Sequence, residues 1–526
     1  MHIVVADDLP RSALALLSAE GWTVDATAGR PPADLEAALA SADALVVRSA
    51  TKVTAALIAK APRLRAIARA GTGVDNVDVS AASARGIVVM NAPGANSISV
   101  AELALAQLLA LARKLPAADA SMKAGKWDKK SFLGEEVRGK VLGLAGLGRI
   151  GQEVARRAKA FEMTVIAHDP FIATQLAADL GIELVSLDEL CARSDYISLH
   201  LPATPDTRHL FNAERIRRCK KGVRIINTAR GELIDEAALA DAIRAGHVAG
   251  AALDVWQSEP TTDHTLQALP QVVASPHIAA STREGQELVG METATALRDF
   301  LKAGVIRNAV NFPSLRSEEY QQLQPYVALA EQLGSLLGQL GEARIVGVSL
   351  RYYGELARGS HPLIVSAVLA GLFRSIASET VTPVNARAVA AERGIEISES
   401  QSASARTFAG VVSVLLRTES GDRWVEGTVV NGHSRLVLLD GVATDAPLAG
   451  RNLILENNDE PGVIGAVGTI LGRANLNIAN FALGRSETGA VGVVNIDDPE
   501  RDVDWNALLR EIRAVKPVRK AWFARV

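Results

Sequence analysis

The sequence predicts an α/β protein with two parallel-sheet lobes, then an α+β block and a small βαββαβ unit at the C-terminus. Three observations carry this reading. From Ile3 to about Ser281, apolar β-rich runs alternate with segments of helical periodicity. A glycine turn, Gly146-Leu147-Gly148-Arg149-Ile150-Gly151, joins one such run to one such segment. From Arg451 the pattern becomes strand, helix, strand, strand, helix, strand.

With 526 residues the chain is too long for one core, and its 48% hydrophobic content can fill several. In the first lobe, strands are expected over 3–6, 22–26, 44–47, 66–68 and 88–91, with helices over 11–19, 33–40 and 55–61. A long helix is expected over 97–115, and the basic stretch Lys123 to Lys130 reads as a solvated loop. The second series has strands over 141–145, 164–167, 196–199, 224–227, 249–253 and 272–274. A helix from Thr282 to about Lys302 is expected to return the chain to the first lobe. The division is therefore 1–95 with 285–310, then 96–284, 318–450 and 451–526. The stretch 314–324 reads as a polar linker. The third block carries β-rich runs near 346–352, 411–416, 424–430 and 436–439, and nothing in it looks catalytic.

Fifty-six basic against 59 acidic residues give a net charge of -3, which offers no surface for nucleic acid. Two cysteines, Cys191 and Cys219, make neither a disulfide framework nor a metal set, so reduced thiols in a cytoplasm are expected. The first residues run from a strand into Asp7 and Asp8, without the features of a signal peptide. The most apolar helix carries Glu102, Gln107, Arg113 and Lys114 and is too short to span a bilayer.

The glycine turn has a specific chemistry. Gly146 permits the tight turn, Gly148 lets a pyrophosphate approach the backbone, and Gly151 lets the helix pack against the sheet. The helix N-terminus offers free N–H groups and the positive end of its dipole. Asp169 stands 18 residues after Gly151, at the end of the next strand. A carboxylate there accepts from ribose hydroxyls and repels a 2′-phosphate, so the turn predicts NAD rather than NADP.

Oxidising an alcohol with such a cofactor needs a base for the hydroxyl proton and a cation for the substrate. His277 follows the run 272–274, Glu259 lies in the loop after 249–253, and Arg230 follows 224–227. Taken singly, these are a loop histidine, a surface acid and a solvated cation. Their shared place past three strands of one parallel sheet is where ligands bind.

The motifs Gly146–Gly151, Asn227-Thr228-Ala229-Arg230-Gly231, Leu253-Asp254-Val255 through Glu259-Pro260, and Ser275-Pro276-His277-Ile278-Ala279 resemble those of the D-isomer-specific 2-hydroxyacid dehydrogenases. That resemblance implies two Rossmann-like lobes, an NAD cofactor, substrate orientation by Arg230, acid/base work by His277, and tuning of His277 by Glu259. It places Thr72, Gly146, Gly148, Arg149, Ile150, Gly151, Asp169, Thr228, Arg230, Asp254, His277 and Ala280 against the cofactor. Ala279 stands where the family often has glycine. Arg48 and Arg69, on first-lobe loops, resemble the phosphate-binding positions of the branch that oxidises 3-phospho-D-glycerate to 3-phosphooxypyruvate, the entry to serine. Lys129 matches a position whose basic side chain reaches the substrate site of a neighbouring subunit in some members, and a homo-oligomer, a dimer or tetramer, is expected. The tail, with Asn457, Asp459 and Asn477, resembles an ACT regulatory domain, which implies an L-serine effector. Asp459 also reads simply as a helix cap. Two other activities fit the same motifs: a glyoxylate or hydroxypyruvate reductase, and a non-catalytic NAD-sensing protein.

Overall fold

The computed structural model describes residues 1–313, 317–341, 343–358, 361–377, 380–402, 404, 407–487, 489–499 and 503–526. Its first sheet holds β1 (His2–Val5), β2 (Thr23–Ala26), β3 (Ala44–Val47), β4 (Ala66–Arg69) and β5 (Val88–Met90). Their order is 2-1-3-4-5 and every pairing is parallel. Ile3, Val5, Val46 and Ala68 pack on one face, and Val4, Leu45, Val47 and Ile67 on the other. Burial of both faces explains the unbroken apolar runs. The helix Arg283–Ala303 lies on the first face, where Ala294, Leu297 and Leu301 join the cluster of Ile3 and Leu17.

The second sheet holds β6 (Val141–Ala145), β7 (Thr164–His168), β8 (Glu183–Leu184), β9 (Tyr196–Leu199), β10 (Val223–Asn227), β11 (Val248–Leu253) and β12 (Val272–Ala274). The order is 12-11-10-9-6-7-8, all parallel. Strand order reverses between β6 and β9, the point where doubly wound sheets open a crevice for a dinucleotide. The helix Ser97–Arg113 crosses over and buries Ala101, Leu105, Leu108 and Leu111 with Leu142, Ile226 and Ala252.

The third sheet is mixed: β13 (Ile345–Gly354), β14 (Glu396–Ser402), β15 (Gly410–Thr418), β16 (Gly421–Val430), β17 (His433–Leu439) and β18 (Val442–Pro447). In the order 14-13-15-16-17-18, only β13 and β14 pair in parallel. The last sheet, β19 (Arg451–Asn457), β20 (Ile478–Ser486), β21 (Gly489–Ile496) and β22 (Val518–Arg525), is antiparallel in the order 20-21-19-22. Helices Val463–Arg473 and Trp505–Arg513 bury Val467, Leu471 and Ile512 on one face, with Leu453 and Leu455. The other face, with Ile454, Val493 and Trp522, merges into the core of the third block. Among the described residues, no helix is long and apolar enough to cross a membrane.

Three expectations change. Residues 314–316 of the expected linker lie outside the described residues, and from Ser317 the chain is helix to Leu340. Tyr320 and Val327 give this polar stretch a buried face against Phe312 and Leu363, and the Tyr320 hydroxyl donates to the Gly304 carbonyl at 2.8 Å. The helix expected to Leu115 stops at Arg113. Lys114 takes a φ of 52°, and a second helix, Leu115–Lys123, starts with Pro116 in its first turn. That helix buries nothing, and Trp127 beyond it is 84% exposed. Strands β8, β14 and β18 have no expected counterpart.

Leu297→Ala removes a fully buried side chain from the contact between the returning helix and β1. It should cost the first lobe about 2–5 kcal/mol, read as a lower denaturant midpoint for that lobe. An unchanged midpoint would mean that the helix is not part of its core.

Candidate active site

The carboxyl edge of the second sheet is built around Asp254, the first residue past β11, which has no exposed surface. Its Oδ1 accepts from the Ser275 hydroxyl at 2.6 Å and the Ile278 amide at 2.9 Å, and its Oδ2 from the Ala279 amide at 2.8 Å. Its carbonyl accepts from the His277 amide at 2.8 Å. Gln107 of the crossing helix donates to Ser275 Oγ at 3.0 Å. The turn so held puts His277 at a φ of 53°, a left-handed conformation that non-glycine residues adopt rarely and at a cost.

In that conformation His277 Nδ1 lies 2.6 Å from Glu259 Oε2. The second Glu259 oxygen accepts from the Trp256 amide at 3.0 Å, which fixes the carboxylate. A carboxylate accepts only, so Nδ1 carries the proton and Nε2 is left as the basic atom. The Glu259 hydrogen bond holds the His277 pKa above its ordinary value, against the opposing effect of burial. Burial would raise the Glu259 carboxyl, but its bonds to His277 and to the Trp256 amide outweigh this and hold it below the usual range.

Arg230 follows β10. Asn227 shapes its turn: Nδ2 donates to the Arg230 carbonyl at 2.8 Å, and Oδ1 accepts from the Ala229 amide at 3.0 Å. The guanidinium reaches across to the first lobe, with Nη2 at 2.9 Å and Nε at 3.1 Å from Asp75 Oδ2. Sequence reading missed Asp75, although it sits in the same glycine loop as Arg69, because no local signal pairs it with a residue so far along the chain.

Two first-lobe loops meet this edge. Asp7 accepts from the Arg48 amide at 2.6 Å and the Thr51 hydroxyl at 2.6 Å, and Asn76 Nδ2 donates to the carbonyls of Arg48 and Thr51. Arg48 and Arg69 thereby line one cavity of about 600 Å³ with Asn96, Glu259, His277 and Ala280. Burial pushes the Arg69 pKa down, the Arg230 charge adds to this, and Asp75 opposes it. Arg69 Nε is buried without a partner. Lys129 is not brought to this cavity, and lies on the exposed stretch after helix Leu115–Lys123.

The glycine turn lies beside it. Gly146 has a φ of 97°. Gly148 is the N-cap of helix Arg149–Ala160, with no side-chain cap and open space where a Cβ would stand. Ile150 is in the first turn, and Arg149 donates to the Pro93 carbonyl. Asp169 ties this turn to β7, accepting from the Leu147 amide at 2.8 Å and the Phe171 amide at 2.9 Å. The Thr72 hydroxyl donates to Asn96 Oδ1 at 2.9 Å, while the Thr228 hydroxyl is buried without a partner. An uncapped helix end, room above Gly148 and an orphaned hydroxyl past β10 all fit a dinucleotide.

In the tail, Asn457 Oδ1 accepts from the Asp459 amide at 2.9 Å, and its Nδ2 is buried without a partner. Asp459 pairs with Arg485 at 3.2 Å and does not cap the following helix, whose N-cap is Gly462. Asn477 Nδ2 donates to Asp497 at 2.6 Å.

Three family descriptions match: the NAD-binding domain of D-isomer specific 2-hydroxyacid dehydrogenases over 105–279, the D-3-phosphoglycerate dehydrogenase intervening domain over 322–440, and the ACT domain over 451–516. The D-3-phosphoglycerate dehydrogenase of Archaeoglobus fulgidus is 42% identical over 505 residues, covering 95% of this chain and 96% of that one. That of Mycobacterium tuberculosis is 43% identical over 521 residues, 98% of each. Among solved structures, a D-lactate dehydrogenase from Aquifex aeolicus complexed with NAD and lactic acid superposes with a TM-score of 0.52 at 30% identity, covering 60% of this chain and all of that one. A glyoxylate reductase from Paecilomyes thermophila gives 0.55 at 31% identity, over 59% and 98%. With near-complete coverage by such relatives and all three domain matches in order, the chain belongs to the D-3-phosphoglycerate dehydrogenase family, a branch of the NAD-dependent D-isomer-specific 2-hydroxyacid dehydrogenases.

Proposed function

We propose that this chain oxidises 3-phospho-D-glycerate to 3-phosphooxypyruvate with NAD, the first step of phosphorylated serine synthesis. The observation that carries it is one cavity lined by a His277–Glu259 pair and by Arg48 and Arg69, with the Arg230 charge acting on both His277 and Arg69. His277 Nε2 takes the proton of the C2 hydroxyl, and Glu259 stabilises the imidazolium that forms. Arg230 grips the carboxylate and draws charge from the oxygen left at C2. Arg48 and Arg69 hold the phosphate at the far end, which sets the carbon chain across the cleft. Bound NAD supplies the acceptor for the C2 hydride. Gly148, Arg149, Ile150 and Asp169 would hold its adenosine diphosphate part, and Thr72, Thr228 and Ala280 would face its nicotinamide end. Asp254 acts by holding the turn that aims His277.

The same reading assigns 1–95 with 285–310 to the substrate lobe, 96–284 to the NAD lobe, 318–450 to the intervening domain and 451–526 to the ACT domain. Exposed Trp127 and Leu133, beside Lys129, suit a contact with a second copy, so the assembly is a homo-oligomer. Reduced, buried Cys191 and Cys219 suit the cytoplasm. L-serine is the effector of the tail, where the Asp459 carboxylate suits its ammonium and the Asn477 amide its polar groups.

NADH production from 3-phosphoglycerate tests the activity, and Arg48→Ala with Arg69→Ala separates it from a glyoxylate reductase. Loss with the phosphorylated substrate alone is expected; equal activity towards both substrates would favour the reductase. His277→Gln should lower turnover about 10²–10⁴-fold while NAD still binds. Because the base form of His277 is needed and its pKa is raised, the acid limb of kcat/KM should fall above pH 6.5, the ordinary histidine value. Glu259→Gln should move that limb to lower pH; a limb that stays put would detach Glu259 from His277. Asp459→Ala should remove serine inhibition and spare turnover, and persisting inhibition would place the effector elsewhere.

A further inference from the structure

Asp75 has no part in the mechanism above, yet it contacts the guanidinium on which that mechanism turns. An arginine has five N–H donors. Here Nε donates to Asp75 Oδ2 at 3.1 Å, Nη2 stands 2.9 Å from the same oxygen as an ion pair, and Nη1 donates to the Ala229 carbonyl at 2.7 Å. Nη1 therefore keeps one N–H and Nη2 is not committed to any hydrogen bond, and these are the two nitrogens whose shared edge matches a carboxylate.

The surrounding chain is shaped to this contact. Gly73 has an ordinary backbone, so its lack of a side chain is a matter of room. A Cβ there would fall inside the Arg230 guanidinium and 2.7 Å from Asp75 Oδ2. Asp75 also stands among positive charges: it acts on Arg69, which in turn feels Arg48 and Arg230. The pair adds little stability, because the Asp75 side chain is 68% exposed. What it fixes is direction, since the Nε hydrogen bond and the approach of Nη2 to the same oxygen together orient the plane of the guanidinium.

We propose that Asp75 is a positioning residue for the reaction: a first-lobe carboxylate that turns the Arg230 guanidinium so that its Nη1/Nη2 edge meets the substrate carboxylate. The pair spans the cleft, so this orientation is set by the approach of the two lobes. The proposal rests on the reading of Arg230 as the substrate's carboxylate ligand.

Kinetics of Asp75→Ala and Asp75→Asn with 3-phosphoglycerate test it, beside ligand-free crystal structures of the parent and of Asp75→Ala. Asp75→Ala should lose about 10- to 100-fold in kcat through misplacement of the guanidinium. KM should not rise, because removing a carboxylate from beside three guanidiniums strengthens the field that draws an anion. Asp75→Asn keeps an oxygen that can accept from Nε, and should recover part of the lost kcat. Parental kcat in Asp75→Ala, a loss confined to a raised KM, or no recovery in Asp75→Asn would each overturn the proposal. If the parent itself does not turn over 3-phosphoglycerate, the substrate reading fails and the crystal structures decide the role of Asp75. A guanidinium that keeps its place without the carboxylate overturns it; a displaced one supports it.

Discussion

One buried carboxylate organises the reactive edge of this molecule. Asp254 has no contact with solvent, and an ionised carboxylate cannot persist there without donors. It takes three, and all of them come from the turn 275–279. The path of that turn is therefore dictated by the charge beneath it. The left-handed conformation of His277 costs about 1–3 kcal/mol, and the Asp254 bonds on both sides of it offset that cost. What results is an imidazole aimed at Glu259, whose own carboxylate is fixed by the Trp256 amide.

The cleft facing this edge is electrostatically unbalanced. Arg48, Arg69 and Arg230 converge on it, and Arg69 is buried enough for its pKa to fall. Of the nearby acids, Asp7 spends its oxygens on the Arg48–Thr51 loop, and Glu259 spends its own on His277 and Trp256. Only Asp75 is turned toward a guanidinium, and it is largely in water. A substrate with a carboxylate at one end and a phosphate at the other supplies the missing charge at both ends of the cavity. Attraction of that kind strengthens as the lobes close and water leaves.

How legible such a structure is in its sequence depends on the range of the forces that shape each part. Strands of the two parallel sheets are buried on both faces, so runs such as Ala44–Val47 are apolar throughout and stand out. His277, Glu259 and Arg230 stand out because each follows such a run. Strand β14 does not, because Glu396–Ser402 is a largely exposed edge paired only to β13, with no apolar face to mark it. The start of the helix Ser317–Leu340 is hidden by its glutamates, glutamines and Pro325, while its buried face depends on Phe312 and Leu363, outside the helix. Asp75 is hidden for the same reason on a longer scale: 155 residues separate it from Arg230. Only the docking of one lobe on the other brings them together.

That docking also bears on how the tail is connected to the site. The face of the last sheet that carries Ile454 and Trp522 shares one core with Leu333, Val368 and Val412 of the third block. The third block in turn meets the first lobe: Leu363 joins Val88, Met90 and Phe312 in one cluster, Thr382 Oγ1 donates to the Gly86 carbonyl at 2.9 Å, and Asn385 Nδ2 to the Ala84 carbonyl at 3.1 Å. Among the described residues, neither cluster includes any from the second lobe. The packed route from the tail thus ends on the lobe that carries Arg48, Arg69 and Asp75, whereas Arg230, Glu259 and His277 stand on the other.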